Sequence, residues 1–431
     1  MATFNLNMLF PGMTQSSFQF SKAKELFPGG VNSPVRSYEP YPRYIASGNG
    51  ATIYDVDGNS YTDYCLAYGP LILGHAHPSM KRALSKASEI GVNFGAPTEF
   101  EVDLGSSIKE AIPAMQKMRF TSSGTEATMH AIRLARSYTK KNIIIKAEGC
   151  FHGSHDYALI KAGSGALTHG EPSSPGIPEE VAGSVAIAAF NDIDSFRKVV
   201  REKQGKVAAV IVEPVMGNAG VILPERGFLA DLRELTSEND ILLIFDEVIT
   251  GFRFHYGAYH TQISVTPDLI TLGKIIGGGL PIGAFGGSAD IMNQVSPEGK
   301  TYVSGTFSGN VLSMLGGIET LRVLKEADYS TLTKMIGKMS SELSSVIERY
   351  VQCSVNHIGT MFQIFFNRRE VRNYSDAIGS DQKQFLRYFR FALDSGIYMP
   401  PSTFETNFVS FAHTEEDMGS LISMTEEFFK Q

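Results

Sequence analysis

From residue 71 to residue 310, short apolar runs alternate with longer amphipathic stretches. Six of the runs read as strands: Met118–Thr121, Asn142–Lys146, Val207–Val212, Leu242–Asp246, Leu269–Thr271 and Ala284–Gly286. They are apolar on both faces and bounded by turn residues, so each must be covered on both sides. Between them the pattern takes a helical period. Glu126–Tyr138 places Ala127, Ala131, Leu134, Ala135 and Tyr138 on one face. Such alternation predicts an α/β fold with a mostly parallel central sheet. The 431 residues suffice for one large core and a smaller one. Residues 1–70 read as an N-terminal segment holding a strand pair that turns at Asp57-Gly58 or Gly58-Asn59. Residues 71–310 form the large domain. Residues 311–431, with longer amphipathic patterns and strand-like Met361–Phe366 and Phe408–Ala412, form a smaller α+β domain.

Charge and composition narrow the function classes. The net charge is −7 with no basic block, which gives nucleic-acid binding no support. No apolar run approaches the roughly 20 residues that span a bilayer. The first ten residues lack a basic start and a sustained apolar stretch, so they do not read as a secretion signal. Cys65, Cys150 and Cys353 show no paired spacing, which points to a reducing compartment, and the expected location is the cytoplasm.

The chemistry begins at the end of one strand. Leu242–Asp246 closes on an acid, and Lys274 follows the next strand in the glycine-flanked segment Gly273-Lys274-Ile275-Ile276-Gly277-Gly278-Gly279-Leu280-Pro281. An amine and an acid so placed are what pyridoxal phosphate chemistry requires. The lysine can form a Schiff base with the cofactor aldehyde, and Asp246 can pair with the pyridinium nitrogen. Gly273-Lys274 is not a P-loop, because no Ser or Thr follows the lysine and Asp268 stands where that motif needs glycine. A solvated lysine is the commoner fate of the residue type, but apolar and glycine neighbours on both sides speak against it here.

Thr121-Ser122-Ser123-Gly124-Thr125-Glu126 lies between a strand and the clear helix. Hydroxyls and free N–H groups at a positive helix end can cradle a phosphate without a cation. A plain helix cap has the same composition; the nearby Lys274 and Asp246 favour the phosphate. Gly305-Thr306-Phe307-Ser308-Gly309-Asn310 could add a hydroxyl to that phosphate from within the chain or from a partner subunit. Phe151, after the Asn142–Lys146 run, can stack on a flat ring. Gly163–Gly170 is a small-residue loop that fails the dinucleotide pattern and suits a mobile lid. Gly74-His75-Ala76-His77-Pro78 has no acidic or cysteine partner nearby to complete a metal site and reads as a structural turn.

Taken together the motifs resemble those of the glutamate-1-semialdehyde 2,1-aminomutases, class III members of the fold-type I pyridoxal phosphate enzymes. Ser123-Gly124-Thr125-Glu126, Asp246-Glu247-Val248 and the Lys274 segment are class-wide. Phe27–Arg36, Gly69-Pro70, Gly74–Pro78, Lys161–Gly165, Pro172–Gly176 and Ala412–Asp417 are narrower, and the likeness runs from about Ser21 to the C-terminus.

The resemblance implies pyridoxal 5'-phosphate exchanging with pyridoxamine 5'-phosphate, and a homodimer with active sites near the subunit interface. Lys274 looks like the Schiff-base lysine and proton shuttle, and Asp246 like the partner of the ring nitrogen. Ser123, Gly124 and Thr125 look like the phosphate cradle, with Thr306 coming from the neighbouring subunit. Phe151 and His152 take the ring-stacking position, and Glu213 and Asn218 line the cofactor site. Ser33 and Arg36 match the pair that holds the substrate carboxylate, Ser164 belongs to the closing loop, and Glu415 matches an acid at the C-terminal edge of the site. The implied reaction moves an amino group within one molecule, from glutamate-1-semialdehyde to 5-aminolevulinate, feeding tetrapyrrole synthesis. It leaves room for contact with the glutamyl-tRNA reductase that makes the unstable semialdehyde. A class III ω-amino-acid aminotransferase or amino-acid racemase is the alternative on the same scaffold, and a non-catalytic binding protein is a second. Three positions depart from the pattern: Tyr68 where many members have Trp, Phe151 where Tyr is common, and Asn32 in place of a Ser.

Overall fold

Every residue of Val207–Val212 and of Leu242–Asp246 is buried, as strands covered on both faces must be. The computed structural model describes residues 14–160 and 174–431. Early in the chain come β1 (Ile45–Asn49), β2 (Thr52–Asp55) and β3 (Ser60–Asp63). Seven strands follow: β4 (Lys117–Thr121), β5 (Ile143–Ala147), β6 (Val185–Ala188), β7 (Val207–Val212), β8 (Leu242–Asp246), β9 (Leu269–Gly273) and β10 (Gly283–Gly287). The last four are β11 (Cys353–Ile358), β12 (Met361–Phe366), β13 (Ile397–Tyr398) and β14 (Asn407–Phe408).

The seven central strands form one sheet in the order β4-β10-β9-β8-β7-β5-β6. Only β10 runs against its neighbours; the other pairings described are parallel. The expected α/β layer with a mostly parallel sheet is what the chain builds. Edge strand β6 has no counterpart among the six strands expected from sequence. Its four residues, Val185-Ala186-Ile187-Ala188, are too short and too half-buried to give a periodic signal.

The helix Gly124–Thr139 covers one face. Ala127, Ala131, Leu134 and Ala135 pack there with Ile211, Ile244 and Leu269. Three alanines on that stripe let the helix axis approach the sheet closely. Tyr138, expected on the same stripe, instead turns outward and donates from its phenol to Asp290 at 2.5 Å. On the opposite face Ile145, Val210, Val212 and Phe245 pack with Phe228, Leu232 and Met361.

Two expected boundaries do not divide the core. Ile53, Tyr61 and Tyr64 of the N-terminal segment share a cluster with Leu343, Phe362, Tyr388 and Leu421, and β3 pairs in parallel with β13. Residues 14–70, the described part of the segment, therefore have no core of their own. The helix Val311–Lys325 packs with Leu104, Phe120 and Ile275, so the large layer continues past residue 310.

Candidate functional site

In a parallel sheet the chain leaves every strand on the same side, and loops there converge on a crevice. Here that crevice is a cavity of about 560 Å³ lined by Ser123, Gly124, Thr125, Phe151, His152, Glu213, Asn218, Asp246, Lys274 and Arg36 among others. Asp246 is the last residue of β8, Glu213 follows β7, Lys274 follows β9, and Thr121 closes β4.

Asp246 is 4% exposed and fully engaged. Its Oδ1 accepts from Val248 N at 3.1 Å and from Thr271 Oγ1 at 2.9 Å. Its Oδ2 lies 2.8 Å from His152 Nδ1. Burial pushes the His152 pKa down, against the pull of Asp246, so the neutral ring donates through Nδ1. Its Nε2 is then a buried acceptor with no partner among the described residues. The acid is thus fixed from three sides at the floor of the cavity.

Ser123 caps the helix Gly124–Thr139 by accepting from Glu126 N at 3.2 Å, while Glu126 Oε2 accepts from Ser122 N at 2.8 Å. The helix presents its positive end to the cavity. Glycine is required at two points around it. A Cβ on Gly283 would stand 2.1 Å from Ser123 O, and one on Gly153 would stand 2.6 Å from Thr125 Oγ1. The backbone of β10 and of the Phe151–Gly153 turn is pressed against the cradle, which leaves the cradle little freedom.

Glu213 ties the far wall together. Its Oε1 accepts from Phe151 N at 2.9 Å; its Oε2 accepts from Gly217 N at 2.8 Å and Asn218 Nδ2 at 2.9 Å. Burial and the Asp246 charge push its pKa up to about 7 despite those donors. One side chain therefore places both Phe151 and Asn218.

Lys274 Nζ donates to Tyr68 O at 2.5 Å. Burial, then the Arg253 guanidinium, lowers its pKa, while Glu405, Glu213 and Asp246 act in the opposite sense. Arg253 is 0% exposed and donates to Ile249 O at 2.7 Å and Gly69 O at 2.5 Å, with its guanidinium 4.5 Å from the Phe408 ring centre. It grips the end of an unusual segment. Leu66, Ala67, Tyr68 and Gly69 have φ of 45°, 55°, 64° and 114°, and three of them carry a Cβ. Left-handed backbone at such residues costs about 1–3 kcal/mol each. Asp63 Oδ1 braces the start of the run, accepting from Cys65 N at 2.8 Å and Leu66 N at 3.0 Å.

Three expected positions, Glu415, Thr306 and Ser33, do not line this cavity within one chain. Glu415 is exposed in the first turn of the helix Glu415–Lys430, capped by Thr414, and does not line the cavity. An acid is favoured there by the helix dipole alone. The acid near the chain end that does act on the site is Glu405, 7% exposed, whose charge acts to raise the Lys274 and Tyr68 pKa values. Sequence reasoning missed it, although a lone acid in Pro400-Pro401-Ser402-Thr403-Phe404-Glu405-Thr406-Asn407-Phe408 was a usable signal. Arg253 was missed too, because nothing in its spacing marks a buried cation. Thr306 lines a separate cavity with Asn93, Phe94 and Arg119. Ser33 begins the short turn Pro34–Arg36 but does not itself line the Lys274 cavity. Ser164 lies outside the described residues.

The comparisons with known proteins agree with this geometry. Residues 34–414 match the family described as Aminotransferase class-III. A Thermoplasma acidophilum protein named glutamate-1-semialdehyde 2,1-aminomutase is 52% identical over 404 residues, covering 94% of this chain and 96% of its own. A Methanocaldococcus jannaschii protein of the same name is 46% identical over 419 residues, covering 97% and 98%. Among solved structures, an omega-transaminase from Sphaerobacter thermophilus superposes with a TM-score of 0.91 at 33% identity, covering 99% of each chain. Identity at this level, over nearly the full length, with the lysine, the acid and the helix end converging on one cavity, means that the chain belongs to the class-III aminotransferases and groups there with the glutamate-1-semialdehyde 2,1-aminomutases.

Proposed function

We propose that this chain converts glutamate-1-semialdehyde to 5-aminolevulinate by intramolecular amino transfer, a step of tetrapyrrole synthesis, using pyridoxal 5'-phosphate and its pyridoxamine form. The observation that carries the reading is the near-full-length identity joined to a cavity with one lysine amine, the fixed carboxylate of Asp246 and one guanidinium suited to a carboxylate. The residues present fit the cofactor. The helix end at Ser123-Gly124-Thr125 offers N–H groups and hydroxyls to a phosphate. Asp246, held on three sides, offers a carboxylate to a protonated ring nitrogen. His152, whose Nε2 has no partner among the described residues, and Phe151 line the same cavity. When bound, the cofactor supplies an electron sink for charge developing at the substrate carbon that bears the amine.

Lys274 moves the proton. To accept one it must be neutral, and burial with the nearby Arg253 charge favours the free amine. Among the described residues lining the cavity, Arg36 is the one guanidinium, and its fork suits a carboxylate. One such anchor fits a substrate that carries both its amine and its acceptor carbonyl. An external donor would need a second carboxylate position in turn. Val248, Ile249 and Ile282 give the cavity an apolar wall beside the polar groups.

We further propose a homodimer in which Thr306 of one protomer completes the phosphate site of the other. Exposed Phe94 lines the cavity that holds Thr306, and Tyr302 and Phe307, close to Thr306 in the chain, are exposed as well; apolar exposure of that kind is a usual mark of a subunit contact. No helix among the described residues is long and apolar enough to cross a membrane. We place the enzyme in the cytoplasm.

The test is incubation of purified protein with glutamate-1-semialdehyde and no added amino donor. Formation of 5-aminolevulinate is expected. Activity only when a separate donor and acceptor are supplied would transfer the assignment to an ω-amino-acid aminotransferase.

A further inference from the structure

Tyr68 touches both ends of the proposed substrate site. Its backbone carbonyl accepts from Lys274 Nζ at 2.5 Å, and its phenol donates to Val35 O at 2.7 Å. Val35 is the residue before Arg36, inside the turn Pro34–Arg36. That turn is otherwise lightly held. Its backbone bonds are Arg36 N to Ser33 O and Ser37 N to Pro34 O, both 3.0 Å. Ser33 gives it no side-chain cap, and none of its three residues is buried. Tyr68 itself stands on the braced left-handed run, with Asp63 below it and Arg253 holding Gly69 O beside it.

We propose that Tyr68 is a positioning residue: its phenol ties the Arg36 turn to the backbone that holds Lys274, and so fixes the span between the carboxylate anchor and the amine. This rests on the aminomutase reading above. A substrate with its carboxylate at one end and its reacting carbons at the other must bridge that span, so a fixed span selects chain length. A phenylalanine at the position would fill the same space and leave the turn untied. Burial pushes the phenol pKa up, so the hydroxyl keeps its proton and remains a donor at any working pH.

The experiment is a double-mutant cycle with Tyr68→Phe and Arg36→Ala, read in two ways. One reading is KM and kcat for glutamate-1-semialdehyde. The other is the Kd of levulinate by calorimetry on the cofactor-loaded enzyme; levulinate has the product's carboxylate and ketone and no amine. Tyr68→Phe is expected to raise both KM and the levulinate Kd roughly three- to tenfold, the worth of one neutral hydrogen bond, with kcat falling less than KM rises. In the Arg36→Ala background it should add nothing further, because the tether then positions no anchor. Unchanged KM and Kd in Tyr68→Phe would overturn the proposal. So would an equal loss in both backgrounds, which would mean Tyr68 acts independently of Arg36. Should the wild type make no 5-aminolevulinate without a donor, the functional reading fails, yet the levulinate titration still decides the tether.

Discussion

Arg253 buries a full guanidinium and draws its bonds from neutral oxygens: Ile249 O, Gly69 O and, at 3.5 Å, Thr360 Oγ1. Replacing it by Met separates two opposing terms. Burial pushes the Arg253 pKa from 12.5 down to about 9. At about 1.4 kcal/mol per pH unit of displacement, keeping that charge at pH 7 costs the folded state about 5 kcal/mol. Against this, Met leaves two buried carbonyls unpaired at about 1–3 kcal/mol each. The terms nearly cancel, and Arg253→Met should change stability at pH 7 by no more than about 3 kcal/mol. The sign with pH is fixed. A base whose folded pKa lies below its unfolded value gains stability as pH rises from about 9 toward 12.5. Urea melts of both proteins at pH 8 and pH 10 should therefore show wild type gaining about 1.4 kcal/mol on the variant at the higher pH. Activity per folded molecule should fall, because Gly69 O is released and the carbonyl holding Lys274 loosens with it. A stability loss beyond about 4 kcal/mol at pH 7, or a difference that does not change between the two pH values, would refute the reasoning.

Lys274→Ala should still take up pyridoxal phosphate but lose turnover by orders of magnitude; near wild-type turnover would remove the lysine from the proton-transfer role. Arg36→Ala should raise KM roughly ten- to a hundredfold, the range of a lost charge-assisted contact, with a smaller drop in kcat; steady-state kinetics with an unchanged KM would end its carboxylate role. Gly283→Ala would place a methyl 2.1 Å from Ser123 O, so β10 must shift. A loss of about 1–3 kcal/mol and weaker phosphate binding are expected, checked by thermal melts and by cofactor titration; an unaffected cofactor Kd would show that the cradle is not held by that contact.

Residue types with strict chemical demands were legible without coordinates. An amine flanked by glycine, an acid closing an apolar run and a hydroxyl-rich helix start each announce their chemistry locally, and Lys274, Asp246 and Ser123–Thr125 do meet in one cavity. The acid at the C-terminal edge was not so legible. Glu415 and Glu405 are both acids near the chain end, and only burial separates them. Glu415 lies on an exposed helix start, and Glu405 is buried with its charge acting on Lys274.

The sequence by itself determined the layer architecture, because continuous apolar strand runs and an alanine-striped helix of period 3.6 are marks that no tertiary contact has to supply. It also determined the reacting groups. Tertiary structure alone decided what depends on distant segments meeting. The N-terminal strands finish their sheet with Ile397–Tyr398, Arg253 reaches across to Gly69, and Tyr68 joins Lys274 to the Arg36 turn. Those contacts link residues 33 to 335 positions apart. Their energy lies in matching a donor to a carbonyl across space, which leaves no periodic mark along the chain.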